Sequence, residues 1–364
     1  MPRRPKVTET TLELREPEDA FRRIEDWLRA RGFFAPGDEE QVADLYLGYG
    51  LSPTIRRGTA QLPPEPCSAL PLAACRVRPV DQTDQFAAED CHIGAWEQTW
   101  TAAEYRAAVE EVRSAIARGD VYQVNLVQHL SAPFSGDPGA LAARLVPLRS
   151  RYPVPFVVED WAVVSASPEL FLARRGERVW TMPIKGTRPL GAGAQLRESA
   201  KDAAEHVMIV DLERNDLSRV CKAGSVRWPE LMATRELAGV EHMVSTVEGQ
   251  LRGGIGLADI LEATFPGGSV TGAPKIAAVD LIAELEPVGR GASMGAIGKV
   301  YGNGDFDLTL TIRTFAVAGG VLHLWVGGGV VWDSEPASEV DESWTKARPL
   351  LEAIGSRVPE AVPA

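Results

Sequence analysis

Two pairs of acids stand at a spacing that can hold a hard cation. Asp202 and Glu205 are three residues apart in AKDAAEHVM, and Glu339 and Glu342 repeat that interval in SEVDESWTK, with Lys346 one turn later. On helices, each pair shares a face. Acidic faces meeting across a cleft would form an oxygen-only site suited to Mg2+, which keeps waters and shares its shell with a substrate. Two ordinary solvated helix faces fit the same spacing. A third acid, Glu169 in SASPELFL, heads an apolar stretch. A carboxyl so placed has a raised pKa and can donate a proton, the plain alternative being a strand-edge carboxylate.

Cations and glycines accompany these acids. Lys185 in PIKGTRP follows an apolar strand and precedes Gly186, and Arg313 in TIRTF interrupts a strand that is apolar on both sides. A guanidinium there either has an acid partner or grips a carboxylate through two hydrogen bonds. His242 in GVEHMVS lies on the polar face of its strand, where a structural histidine is equally in order. The loop FPGGSVTGAPK has the G-x-x-x-x-G spacing of Gly267 and Gly272, but Ala273 and Pro274 follow where a nucleotide loop needs Lys and Ser or Thr. What remains is an anion cradle at a helix N-terminus, with Pro274 suited to the first helical position, or a plain turn. In VGGGVV, Gly327, Gly328 and Gly329 sit inside an apolar strand, which points to a close approach or to a β-bulge.

These residues need elements to hold them. TAAEYRAAVEEVRSAIARGD predicts a helix ended by Gly119, and VYQVNLVQHL alternates as a strand, with Tyr122, Val124, Leu126 and Leu130 on one face and Gln123, Asn125 and His129 on the other. Further strands are predicted over Trp161–Leu172, Arg178–Ile184, Gly239–Leu251, Met294–Tyr301, Leu308–Val317 and Val321–Val331. Helices are predicted over Ser199–Leu212 and on through Arg219, over Leu257–Thr264 and Ala273–Glu286, and over Ala337–Ile354. Strands in runs with helices between them imply an α+β fold, with large, mostly antiparallel sheets and helices outside. Residues 1–100 are Pro-rich and weakly periodic, and Leu62–Gln85 read as loops and short strands.

Composition bounds the function. The formal charge of −12 argues against nucleic acid as a partner, since phosphate binding needs a basic surface. No apolar run is long enough for a membrane span, and no apolar segment follows the N-terminal basic residues, so neither a membrane protein nor a secretory leader is expected. Four cysteines without a C-x-x-C pair suit a reduced, cytoplasmic setting. Taken alone, the residues describe an enzyme handling a small polycarboxylate, with carboxylate-binding cations, an acid and Mg2+.

The ordered set YQVNL, SPELF, PIKGTRP, AEHVMIVDLERNDL, VEHMVS, FPGGSVTGAPK, MGAIG, TIRT, GGGVVWDS and ExDExxxK resembles the chorismate-utilising enzymes, from Tyr105 to Ile354. That family includes anthranilate synthase component I, aminodeoxychorismate synthase component I and the isochorismate synthases. The resemblance implies the anthranilate synthase component I-like fold. It divides the chain into a shortened, divergent N-terminal region (1–100), a chorismate-binding catalytic domain (101–356) and a tail (357–364). Lys185 stands where anthranilate synthases carry alanine and aminodeoxychorismate synthases carry lysine. Gln123 replaces the lysine that activates water in isochorismate synthases.

The resemblance also implies roles. Glu205 and Glu342, supported by Asp202 and Glu339, would bind Mg2+, which would hold the ring carboxylate of chorismate beside Lys346, Thr271 and Gly272. Arg313 and the backbone of Gly327, Gly328 and Gly329 would take the enolpyruvyl carboxylate. Glu169 would protonate the departing hydroxyl, His242 would lie near the ring, and Lys185 would be an amine nucleophile. The implied reaction forms 4-amino-4-deoxychorismate, toward p-aminobenzoate. With no glutaminase nucleophile motif in view, the implied partner is a separate glutamine amidotransferase subunit that supplies ammonia.

Overall fold

The computed structural model describes residues 10–35, 40–82, 90–191, 200–237 and 240–357, with the side chains of 187–189, 200–202, 237 and 240 outside that description. Its first sheet has ten strands. In spatial order these are β1 (Thr11–Leu14), β3 (Ala73–Pro79), β2 (Gln41–Leu47), β15 (Ala296–Tyr301), β16 (Phe306–Leu310), β9 (Leu170–Arg175), β10 (Arg178–Met182), β13 (Val240–Gln250) and β11 (Ile184–Pro189), with β12 (Arg227–Leu237) also on β13. The second, eight-stranded sheet runs β14 (Gly272–Ala273), β6 (Gln123–Gly136), β18 (Val321–Val330), β17 (Thr314–Ala318), β8 (Trp161–Ser165) and β7 (Phe156–Val158), with β4 (Cys91–Ile93) and β5 (Glu97–Gln98) also on β6. Every described strand pair, from β1–β3 to β17–β18, is antiparallel, as expected.

Strand alternation decides what lies on each side of the second sheet. Val163 and Ala316 join one core with Leu45, Leu172 and Ile297 of the first sheet. Leu130, Val164 and Phe315 turn the other way, onto Leu141 and Leu145 of helix α3 (Pro138–Leu145) and Leu350 and Leu351 of helix α7 (Pro336–Ala353). Before these come α1 (Ala20–Arg29) and α2 (Ala102–Arg118), and between them α4 (Ala200–Ser218), α5 (Leu257–Thr264) and α6 (Lys275–Leu285). The predicted start and stop of α2 hold: Thr101 and Glu104 form a capping box, and Gly119 ends the helix at φ 83°.

Several expectations are corrected. The alternation of β6 does not separate core from water, because Gln123, Asn125 and His129 are buried while Tyr122, just before the strand, is exposed. The polar face of β6 is thus an interior polar surface. Trp161–Leu172 is not one strand: β8 ends at Ser165, and β9 begins at Leu170 in the other sheet. Leu308–Val317 likewise divides into β16 and β17, one in each sheet. Apolar periodicity runs unbroken through both crossings because both flanks are buried. The strand β12, the helix α1 and the ordered strands β1 and β2 were not foreseen from the sequence.

Candidate active site

The two sheet crossings build one wall of the site. Ala166 donates its N–H to Arg313 O at 2.9 Å and Leu310 donates to Glu169 O at 3.0 Å, so the crossings lie side by side. The serines of SASPEL brace them: Ser165 Oγ is 2.8 Å from Thr314 Oγ1 and accepts the Ser167 N–H at 3.2 Å. Arg313 holds φ at 50°, a left-handed conformation that costs a non-glycine residue about 1 kcal/mol or more. It does not interrupt a strand, as the sequence suggested; it turns the corner between two, and so faces Glu169.

Glu169 is 5% exposed, and its Oε1 accepts the Ser269 hydroxyl at 2.8 Å and the Ile184 N–H at 3.4 Å. Burial raises its pKa, against the lowering effects of Ser269, Lys185, the Ile184 N–H and Arg313. Burial in turn lowers the pKa of Arg313, with Glu169 opposing. Lys185 is the second residue of β11, and burial lowers its pKa. Glu205 opposes that lowering, Lys346 adds to it, and Glu169 and Glu342 also oppose it. The same ammonium therefore feels acids from the β8–β9 crossing, from α4 and from α7. This brings together the carboxylates that the sequence left far apart.

The opposite wall is β18 with α7. The ladder between β18 and β6 keeps one register from Val321 to Val330, which rules out a bulge at the three glycines. Close approach accounts for them. A Cβ on Gly328 would lie 3.0 Å from Lys346 Nζ, 3.2 Å from Glu342 Oε1 and 3.6 Å from Glu339 Oε2. A Cβ on Gly329 would lie 2.1 Å from Gln123 Nε2 and 3.4 Å from Lys185 Nζ. Lys346 Nζ also donates to Gly327 O at 2.9 Å and pairs with Glu342 at 2.7 Å. Pro336 and the Glu335 cap start α7, and Glu339 in the first turn suits the positive helix end.

Other expected residues fall nearby. His242 Nδ1 is 3.3 Å from Gly186 O, and burial and then Arg313 lower its pKa. Thr271 is buried, and its hydroxyl donates to Gly267 O at 3.0 Å. Gly272 and Ala273 pair with Val124 and Gln123 as β14, and Pro274 is the N-cap of α6. Pro274 is therefore one residue short of the first helical position expected for it. Asp202 lies on α4, with its side chain outside the described residues.

Two contributors escaped the reading of the residues themselves. Ser269 had no periodic or spacing signal that tied it to Glu169. Gln123 is fully buried, and among the described residues neither its amide nitrogen nor its oxygen has a hydrogen-bond partner. Burying such a group unpaired costs about 1–3 kcal/mol, so an orphaned amide beside Lys185 marks a place where a polar ligand would be held.

The family described as chorismate binding enzyme matches residues 64–352. The chain belongs to this family. Aminodeoxychorismate synthase component 1 of Klebsiella aerogenes is 40% identical over 285 residues, covering 76% of this chain and 63% of that protein. Anthranilate synthase component 1 of Streptomyces coelicolor is 38% identical over 317 residues, covering 84% and 59%. The chain thus spans 63% and 59% of the lengths of these curated relatives. The crystal structure of anthranilate synthase component I from Streptococcus pneumoniae matches with a TM-score of 0.82 at 25% identity, covering 95% of this chain and 91% of that one. The expected anthranilate synthase component I-like α+β fold is therefore the one observed. The chorismate-binding match begins at residue 64, well before the Tyr105 at which the resemblance of motifs begins.

Among the described residues no helix is long and apolar enough to cross a membrane, and all four cysteines are free and buried. No three described acidic, cysteine or histidine side chains close on a single point. The donors do suit a hard cation in kind: Glu339 and Glu342 converge above Gly328, and Glu205 and Glu342 act on the same ammonium.

Proposed function

We propose that this protein aminates chorismate at C4 to give 4-amino-4-deoxychorismate, with Mg2+ as cofactor, as an aminodeoxychorismate synthase component 1. The observation that carries the reading is Lys185. Its amine stands beside Gly329 and the orphaned Gln123 amide, it is drawn toward neutrality by burial, and it faces the buried acid Glu169. An amine attacks only when neutral. Lys185 adds to C2 of the ring as the C4 hydroxyl leaves with a proton from Glu169. Ammonia then adds at C4 and expels the lysine. The balance is chorismate plus ammonia to aminodeoxychorismate plus water.

Glu205 and Glu342, with Glu339 and Asp202 in support, would hold Mg2+, which supplies positive charge to the ring carboxylate. Lys346 takes part of the same carboxylate, and its bond to Gly327 O fixes it over β18. Arg313, with the backbone of Gly327–Gly329, grips the enolpyruvyl carboxylate. His242 borders the ring, and Thr271 and Gly272 close the end of the site next to Gln123. Gln123 has no basic form at neutral pH and cannot activate water, which favours amination over hydration. Ammonia comes from a separate amidotransferase subunit, and the "component 1" in the relatives' names supports such a partner.

Incubation with chorismate, Mg2+ and ammonium, followed by product separation and mass analysis, tests the reading. Aminodeoxychorismate is expected. Direct formation of anthranilate and pyruvate would overturn it in favour of the other relatives' reaction. Full turnover by Lys185→Ala would remove the nucleophile role.

A further inference from the structure

A buried carboxylate lies beneath the glycine loop and takes no part in the reaction above. Glu213, on α4, is 3% exposed, and its Oε1 accepts the Gly268 N–H at 2.9 Å. The next residue, Ser269, donates its hydroxyl to Glu169 Oε1 at 2.8 Å. One peptide unit thus joins a hydrogen bond from α4 to the hydrogen bond on the acid. The helix packs hard on this point: a Cβ on Gly268 would lie 2.7 Å from Leu212 Cδ2 and 3.0 Å from Glu213 Oε1. The loop's lysine is part of the same clamp. Lys275 Nζ donates to Thr264 O at 2.8 Å and Pro266 O at 2.6 Å and pairs with Asp216, so it serves the loop and not a phosphate.

We propose that Glu213 is a positioning residue that, through the Gly268 N–H, seats the Ser269 hydroxyl on Glu169 and thereby sets how readily Glu169 holds its proton. The inference rests on Glu169 being the acid of the proposed reaction. A loop with three glycines has many conformations open to it, and a carboxylate–amide bond inside the protein selects one. A hydroxyl donated to Glu169 favours its ionised form, and losing that donor raises its pKa. The groups facing Glu169 are Ser269, Lys185, the Ile184 N–H and Arg313. Those facing Glu213 are Lys275, Asp216, the Gly268 N–H and Glu169. Burial raises the Glu213 pKa to about 7, and Lys275 opposes the rise.

The test compares pH profiles of turnover for the wild type, Glu213→Met, Glu213→Asp, Glu213→Gln and Ser269→Ala, with a melting temperature for each. The Met and Asp variants, which remove or withdraw the acceptor, should move the alkaline fall in activity upward by about 0.5–1 pH unit, and Ser269→Ala should do the same. The Asp variant keeps the charge and serves if the Met variant does not fold. Gln still reaches Gly268 and should restore an alkaline limb no higher than that of the wild type. A lower melting temperature with unmoved pH profiles in both the Met and Asp variants would reduce Glu213 to a structural role and overturn the proposal. Carbon-13 NMR of glutamate-labelled protein reads the same Glu169 shift without substrate. Failure to convert chorismate would then sink the proposed function, while the NMR titration would still decide whether Glu213 acts on Glu169.

Discussion

On the α7 side of the cleft, Lys346 and Glu342 pair at 2.7 Å with side chains 41% and 49% exposed. On the crossing side, Glu169 and Arg313 are drawn deep between the sheets, and burial moves both pKa values toward the neutral form. Exposed pairs are screened and change little on losing a partner; buried groups hold altered protonation states that water would otherwise erase. The first wall is thus suited to receiving a charged ligand, whose carboxylate can take the place of an existing partner. The second is suited to moving a proton. The contrast arises from topology, since β18 and α7 present their side chains at a rim while two sheet crossings place theirs in the interior.

The largest effect should come from breaking the buried wall. Glu169→Gln removes the proton donor without changing shape, and turnover should fall by about 10²–10⁴-fold, the range for a positioned general acid. The sign of the pH dependence follows from the raised Glu169 pKa. The acid must be protonated, so wild-type activity falls as pH rises through that pKa, and the Gln variant should lack this limb. Lys346→Met on the exposed wall should instead raise KM, by about tenfold or more for a lost charged hydrogen bond, and leave the limb in place. Steady-state kinetics from pH 5 to 9 would decide. Equal effects on kcat from both substitutions would erase the distinction between the walls.

A smaller pair of substitutions separates the sheet from the site it carries. A Cβ on Gly327 would lie 1.9 Å from Leu126 O, a backbone atom of the β6 ladder that cannot swing aside. The atoms nearest a Cβ on Gly328 are instead side-chain ends, those of Lys346, Glu342 and Glu339, at 3.0 to 3.6 Å. Gly327→Ala should therefore cost about 1–3 kcal/mol of stability, measured by denaturant unfolding. Gly328→Ala should keep most of the stability and lose affinity for chorismate. The reverse ranking would mean that α7, not the ladder, is the rigid partner.

What the sequence disclosed follows the same division. Helix α2 and helices α4 to α7 were legible because periodicity is local, and Thr101, Gly119 and the Leu257–Thr264 helix fall where expected, whereas α1 and α3 were not. The site was legible mainly as an ordered set of motifs, since the spacing of Asp202, Glu205, Glu339 and Glu342 does not say that α4 and α7 each direct an acid toward Lys185. The crossings were not legible. Ala166–Glu169 and Thr311–Arg313 are flanked by apolar residues on both sides, and nothing local distinguishes a strand that continues from one that changes sheets. Ser269 and Glu213 were hidden for a related reason, as their partners lie 100 and 55 residues away.

Away from the site, strands β6 and β18 carry a second buried polar group that sharpens the contrast. His129 Nδ1 is 2.7 Å from Thr99 Oγ1 and its Nε2 is 3.0 Å from His323 Nδ1, with Trp325 against both rings. Here burial first, and then the neighbouring His323, push His129 down to about 3, while burial alone brings His323 to about 4. Among the described residues no acid faces either ring to offset protonation, unlike Lys185, which has Glu205, Glu169 and Glu342. Both folded values lie below the ordinary 6.5, so the unfolded chain binds more protons as pH falls below 6.5. Stability is complete above that value and declines toward pH 4, at about 1 kcal/mol per histidine by pH 5.5. Melting temperatures measured from pH 7.5 to 5.5 should fall in the wild type and fall less in His323→Gln, which removes one titrating ring. Parallel curves would show that the pair is not what acid attacks, and that the buried polar surface of β6 is equally tolerant of charge at both ends.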